Sequence, residues 1–279
     1  MKKPAEITAA EIFYAFPRVI DLSLDRIRAA LKPLDLILPP IIHIAGTNGK
    51  GSTLAFLRSI LEAAGKTCHV YTSPHLVTIH ERYVIAGKQI SEEALLKYAK
   101  IVQEIAKGIP LTIFEAETLA GFLAFADTPA DYLLLETGLG GRLDATNAID
   151  QKLLTIITPI DYDHKEFLGE DLAQIAREKC GILRAKTPAI IARQREEIVD
   201  VIEHEIEIIG AIPLVFSPED YNLRNGQREC KGLISENMDR WPYLWARSFG
   251  LMAATIPTER VLRRISWHNC KTKTHAHLY

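Results

Sequence analysis

The 279-residue chain has little cysteine: Cys68, Cys180, Cys230 and Cys270 lie far apart and no two form a CxxC pair. Neither a disulfide framework nor a zinc site follows from that spacing, and the thiols are read as reduced. An excess of one charge is also missing, since 33 Lys plus Arg stand against 35 Asp plus Glu for a formal net charge of -2. A dedicated nucleic-acid binder needs clustered cations to displace counterions, so no nucleic-acid partner is expected. Long apolar runs are absent as well. The best, Thr118 to Ala126, is closed by Glu117 and Asp127 and falls well short of the roughly 20 residues of a membrane span. Glu6 and Glu11 interrupt the start, where a secretory signal would be uniformly apolar. No membrane partner is expected, and a cytoplasmic address follows by default. With 48% hydrophobic residues the chain nevertheless has enough apolar material for a real core.

That material is distributed unevenly. Residues 1–220 carry 23 basic and 31 acidic side chains, whereas 221–279 carry 10 and 4, together with all three tryptophans, Trp241, Trp245 and Trp267. A boundary is therefore placed near residue 216, with a domain over 1–216 and a divergent, poorly ordered tail over 217–279. Within the domain, short β-branched or leucine-rich runs (41–45, 67–72, 132–136, 153–157, 189–192 and 212–216) read as strands. Stretches with apolar residues at helical spacing (52–64, 91–106, 114–126, 172–180 and 196–209) separate them. Ser91 followed by Glu92 and Glu93 has the chemistry of a helix N-cap. Alternation of strand and helix at this spacing predicts an α/β fold: a doubly wound parallel sheet covered by helices on both faces.

The first strand runs directly into Gly46-Thr47-Asn48-Gly49-Lys50-Gly51-Ser52, after which a helix begins. Glycines let successive N–H groups turn inward, a helix N-terminus adds positive potential, Lys50 supplies a mobile cation and Ser52 a hydroxyl for magnesium. The strict GxxxxGK[ST] string is not met, because Ile44 holds the first glycine position and Gly51 follows the lysine. The plain alternative is an ordinary glycine-rich turn between strand and helix.

Two further strand ends carry polar groups. Leu133-Leu134-Leu135-Glu136 leads into a loop with Gly138, Gly140 and Gly141, which places a carboxylate at the edge where ligands of such sheets sit. Thr158 to His164 follows the next strand and brings an imidazole to the same edge. Histidine is an uncommon magnesium ligand, and taken alone His164 reads as a satisfied polar residue.

Taken in order, Gly46 to Ser52, Tyr71-Thr72-Ser73-Pro74-His75-Leu76, Leu135 to Asn147 and Arg177-Glu178-Lys179-Cys180-Gly181 resemble the folylpolyglutamate synthase and dihydrofolate synthase family, within the Mur ligases. The resemblance covers roughly residues 20–215, and it implies the P-loop-type central ATPase domain of that superfamily. It implies an ATP-dependent ligase joining L-glutamate to dihydropteroate or to folates through an acyl phosphate, with ATP and Mg2+ as cofactors. The loop Gly46, Thr47, Asn48, Gly49, Lys50, Gly51 and Ser52 would hold the phosphates. Ser52, Ser73, Glu136, His164 and Lys179 would hold metal, and Lys50, His164 and Lys179 would act in catalysis. The lysine matching Lys179 is carbamylated in the family, which a desolvated, neutral amine permits; a solvated helix lysine is the alternative. Asp21, Leu22, Thr112, Phe114, Glu115, Leu143, Asp144 and Ala145 correspond to the pteroate pocket, although Phe114 fits a helix core position equally well.

The chain departs from the family after residue 216. Signatures of the family's second, Rossmann-like domain are missing from 217–279, and a frameshift or early stop in the gene is the expectation this raises. Two functional readings follow: a monomeric folate-pathway ligase, or a catalytically impaired remnant that at most binds nucleotide and magnesium. A cell-wall Mur ligase is a distant third.

Overall fold

The computed structural model describes residues 7–214; the tail expected over 217–279, with its tryptophans, lies outside the described residues. Eight strands form one sheet in the order β4-β3-β2-β5-β1-β6-β7-β8. Six of them run parallel: β2 (Cys68–Tyr71), β5 (Tyr132–Glu136), β1 (Ile41–Ala45), β6 (Leu154–Ile157), β7 (Pro188–Ile191) and β8 (Ile212–Leu214). The purely parallel sheet needs one correction. At one edge β3 (Tyr83–Ile85) and β4 (Lys88–Gln89) add antiparallel to β2. Ala86 and Gly87, at φ 45° and 84°, join them, the paired positive-φ geometry of a tight hairpin turn.

The central strand β1 is buried at every residue, as a strand covered on both faces must be. Its side chains alternate. Ile42 and Ile44 pack with Leu54, Leu57 and Leu61 of α3 (Lys50–Ala63). Ile41 packs on the opposite face with Leu133 and Leu135 of β5 and with α5 (Ile113–Ala126). Behind α5 stand α1 (Ala9–Tyr14), α2 (Asp25–Leu31) and α4 (Glu92–Ile105). A further cluster joins Ala45, Ile157 and Ala189 to α7 (Leu172–Cys180) and α8 (Glu196–Ile209). The short helix α6 (Lys165–Leu168) precedes α7.

Ser91 caps α4 as its chemistry requires, its hydroxyl accepting from Ala94 N–H at 3.2 Å. Glu92 does something else: its carboxylate accepts from Ala9 N–H and faces His80 Nε2, each at 2.7 Å, tying α1 and the turn at His80 to α4. The helices α1, α2 and α6, of six, seven and four residues, are too short to display a helical periodicity in the sequence.

Candidate functional site

Parallel neighbours β2, β5, β1 and β6 end at the same edge of the sheet, so the segments that follow them meet there. After β1, Gly46 turns so close to β6 that a Cβ on it would stand 1.9 Å from Thr158 Oγ1; no other residue fits. The N–H groups of Thr47 and Asn48 both donate to Pro159 O at 3.1 Å, and Thr47 Oγ1 donates to Asp161 O at 2.9 Å. Gly49 supplies the left-handed N-cap at φ 81°, and α3 starts at Lys50. The loop is thus clamped onto the end of β6, with exposed Ser52 in the first turn of the helix. Lys50 Nζ folds back to donate to Gly46 O at 3.1 Å.

Glu136 closes β5 directly beside that helix start: a Cβ on Gly51 would lie 3.9 Å from each of its carboxylate oxygens. The side chain is buried and accepts a long hydrogen bond from Ser73 N–H at 3.4 Å. Burial pushes its pKa up to about 7, against the nearby Lys50 cation and the Ser73 N–H, which favour the charged form. Ser73, after β2, has a buried Oγ without a hydrogen-bond partner. A carboxylate starved of hydrogen bonds beside an orphaned hydroxyl is an oxygen pair that fits a hard cation such as magnesium. No cluster of three His, Cys, Asp or Glu side chains suited to a metal occurs among the described residues; a cation here would draw on the hydroxyl, the carboxylate and the ligand's own oxygens.

Lys179 reaches the same loop from α7. It is buried, and its Nζ donates to Gly46 O at 3.0 Å. Desolvation first, and the Lys50 cation second, bring its pKa down to about 8. A solvated helix lysine, the alternative left by the sequence, does not describe this side chain. Its helix is held in place by Arg142, which pairs with Glu178 at 2.7 Å, and by Asn147, whose Nδ2 donates to Arg142 O and Gly181 O at 2.9 and 3.0 Å.

Beside the loop lies a cavity of about 380 Å³. Ser73 and His164 line it, and so do Asp21, Leu22, Thr112, Phe114, Glu115, Leu143, Asp144 and Ala145. His164 adopts φ 46°, and its side chain is half exposed, 3.4 Å from Asp163. Phe114 contributes to the apolar core and to the cavity at once; its ring lies under the backbone of Gly138, where a Cβ would be 2.5 Å from it.

Two carboxylates in this lining are already engaged. Asp144 is buried and accepts from the N–H groups of Gly138, Leu139 and Thr146, so it shapes the glycine loop after β5. Glu115 closes a capping box with Thr112 and pairs with Arg26 at 3.0 Å, while its Oε1 has no partner. Arg26 also pairs with Asp21 at 2.8 Å. Arg82 lines the same cavity, with Glu117 behind it. Glu117 carries a sequence signal, a carboxylate directly before the apolar run Thr118 to Ala126, whereas no pattern marks Arg82.

A strand, a glycine-rich loop and a helix with a lysine at its start, facing an acid on the adjacent strand, define a P-loop-type α/β domain. No family model matches the chain. Among curated proteins, the Bacillus subtilis dihydrofolate synthase/folylpolyglutamate synthase is 44% identical over 173 residues, 59% of this chain and 40% of that protein. The Escherichia coli protein of the same name is 42% identical over 194 residues, 67% of this chain and 45% of that protein. Among solved structures, E. coli FolC in complex with DHPP and ADP superposes with a TM-score of 0.69 at 37% identity, covering 76% of this chain and 52% of that one. A bifunctional folylpolyglutamate synthase/dihydrofolate synthase with Mn, AMPPNP and L-glutamate bound gives 0.66 at 38%, covering 74% and 50%. Over the shared stretch the chain is a homologue of the dihydrofolate synthase/folylpolyglutamate synthase family. It spans about half the length of these relatives or somewhat less.

Proposed function

We propose that this chain carries the nucleotide half of an ATP-dependent ligase that joins L-glutamate to dihydropteroate or folates. The observation that supports this most directly is the juxtaposition of the loop at Lys50, the Ser73–Glu136 oxygen pair and a cavity with the Phe114 ring in its wall. In this reading the N–H groups of the first turn of α3 and the Lys50 cation hold the phosphates of ATP. Ser73 and Glu136 would hold magnesium, with Ser52 and His164 beside them; the metal would supply charge neutralisation during transfer of the γ-phosphoryl group.

The pteroate sits in the cavity with its carboxylate toward the phosphates. That carboxylate attacks the γ-phosphorus and ADP leaves; the glutamate amine then adds to the acyl phosphate, and phosphate departs from the tetrahedral adduct. Negative charge accumulates in both steps, and Lys50 with α3 is preorganised to offset it. Lys179, a desolvated amine with a depressed pKa, is poised to take up carbon dioxide as a carbamate and so become an anionic arm toward the metal. A monomeric, cytoplasmic protein is part of the same reading; no described helix is long and apolar enough to cross a membrane.

The test is phosphate release by the 279-residue chain with Mg-ATP and dihydropteroate, with and without L-glutamate. Glutamate-dependent release supports the ligase. Nucleotide binding without glutamate-dependent release favours the remnant over the working ligase, and failure to bind Mg-ATP overturns the nucleotide half itself.

A further inference from the structure

The cavity beside the glycine loop contains one cation that the assignments above do not use. Arg82 is 9% exposed and lines that cavity together with Ser73, Phe114 and His164. Its Nε donates to His75 Nδ1 at 2.9 Å. Its Nη1 lies 3.6 Å from Glu117 Oε2 and makes no hydrogen bond. Its Nη2 has no hydrogen-bond partner among the described residues.

A guanidinium presents five donors, stays charged at every physiological pH, and is seldom buried without an anion to match its fork. Here the one nearby carboxylate is a loose and incomplete partner. Glu117 is itself desolvated, which raises its pKa, and it is held off beyond hydrogen-bond distance. The carboxylates of the cavity wall are engaged elsewhere: Asp144 with three backbone N–H groups, Glu115 with Arg26 and Thr112, and Asp21 with Arg26. Arg82 is also pinned in place. His75 fixes its Nε, and its own carbonyl oxygen accepts from Thr72 N–H at 3.1 Å, so the cation is joined to the Thr72–His75 segment that carries Ser73. Little side-chain entropy remains to be lost on binding.

We infer that Arg82 is the specificity-determining residue for the anionic end of the substrate: its unpartnered Nη2 takes the carboxylate of a pteroate-class ligand through a charge-assisted hydrogen bond and turns that carboxylate toward the loop at Lys50. Glu117 keeps the cation compensated while the cavity is empty. The inference rests on the ligase reading and deepens it.

The experiment compares two ligands that differ only in charge at this end, pteroate and its carboxamide, titrated into the 279-residue chain with Mg-ADP present. The wild type is expected to prefer pteroate by about tenfold or more. Arg82→Met is expected to bind both equally while its affinity for Mg-ADP is unchanged. Because that substitution leaves Glu117 buried beside an apolar side chain, the double variant R82M/E117Q is measured alongside, with a thermal melt to establish that it folds. Loss of discrimination in the folded double variant supports the inference. Discrimination retained there overturns it and leaves the ligase reading standing, as does a wild type that binds both ligands alike. A wild type that binds Mg-ADP but neither pteroate nor its amide overturns the inference and the pteroate reading together.

Discussion

Lys179 Nζ donates to Gly46 O at 3.0 Å across 133 residues of sequence, so the last turn of α7 is fastened directly to the first residue of the glycine-rich loop after β1. The bond is made by a buried amine whose pKa has come down to about 8 from 10.5. Between those values the unfolded chain holds a proton that the native chain has released. Stability therefore rises with pH across that window, while below about 8 both states are protonated and the burial penalty is fully present. Lys179→Met is expected to remove that rise, on the order of 2 kcal/mol. Urea unfolding of both proteins at pH 7.5, 9 and 10 checks it; parallel stability profiles would contradict it.

Glu136 gives the opposite pH dependence. With a pKa near 7 against an ordinary 4.5, the native carboxyl keeps a proton that the unfolded chain has lost, and stability falls as pH rises through that interval. Glu136→Gln is expected to leave stability near wild type at pH 5 and to raise it at pH 8, on the order of 2 kcal/mol. The same substitution removes the proposed magnesium ligand, so metal-dependent tightening of ADP binding should disappear in the more stable protein. Calorimetric melts and ADP titrations with and without magnesium separate the two effects.

The loop after β5 is packed against the end of α7 with no room to spare. A Cβ on Gly141 would stand 2.8 Å from both Glu178 O and Lys179 O, which are backbone atoms and cannot swing aside. Gly141→Ala is expected to destabilise by about 1–3 kcal/mol and to weaken nucleotide binding as well, because the displaced helix carries Lys179. Chemical denaturation and an ADP titration measure the two consequences; a loss of stability with unchanged ADP affinity would detach α7 from the loop.

Carbamylation of Lys179 has a direct readout. Native mass spectrometry in bicarbonate buffer is expected to find a carbon dioxide adduct of about 44 Da on the wild-type chain and none on Lys179→Met, because only a neutral, desolvated amine adds carbon dioxide readily. An adduct equally abundant on both proteins would place it elsewhere.

Much of the central sheet was legible because its strands are short apolar runs buried on both faces. The hairpin of β3 and β4 was not, since a three-residue and a two-residue strand carry too little pattern and their signal resides in the positive φ of Ala86 and Gly87. At the site, Lys50 and Glu136 stood out because strand ends of a parallel sheet converge whatever the loops do. Arg82 was invisible for a complementary reason: its meaning comes from His75, Glu117 and the cavity, contacts made by the fold and by no spacing in the chain. Asp144 lines the cavity where the resemblance places it, and its oxygens also accept from the backbone of its own loop.

The claim on which the rest depends is that the loop at Lys50 and the acid at Glu136 serve one nucleotide and its metal. Isothermal titration of ADP into wild type, Lys50→Ala and Glu136→Ala, each with and without magnesium, tests it most directly. The expected result is binding that magnesium tightens in the wild type, is lost in Lys50→Ala, and survives without the magnesium effect in Glu136→Ala. Wild-type-like ADP binding by Lys50→Ala, or a full magnesium effect in Glu136→Ala, would contradict it.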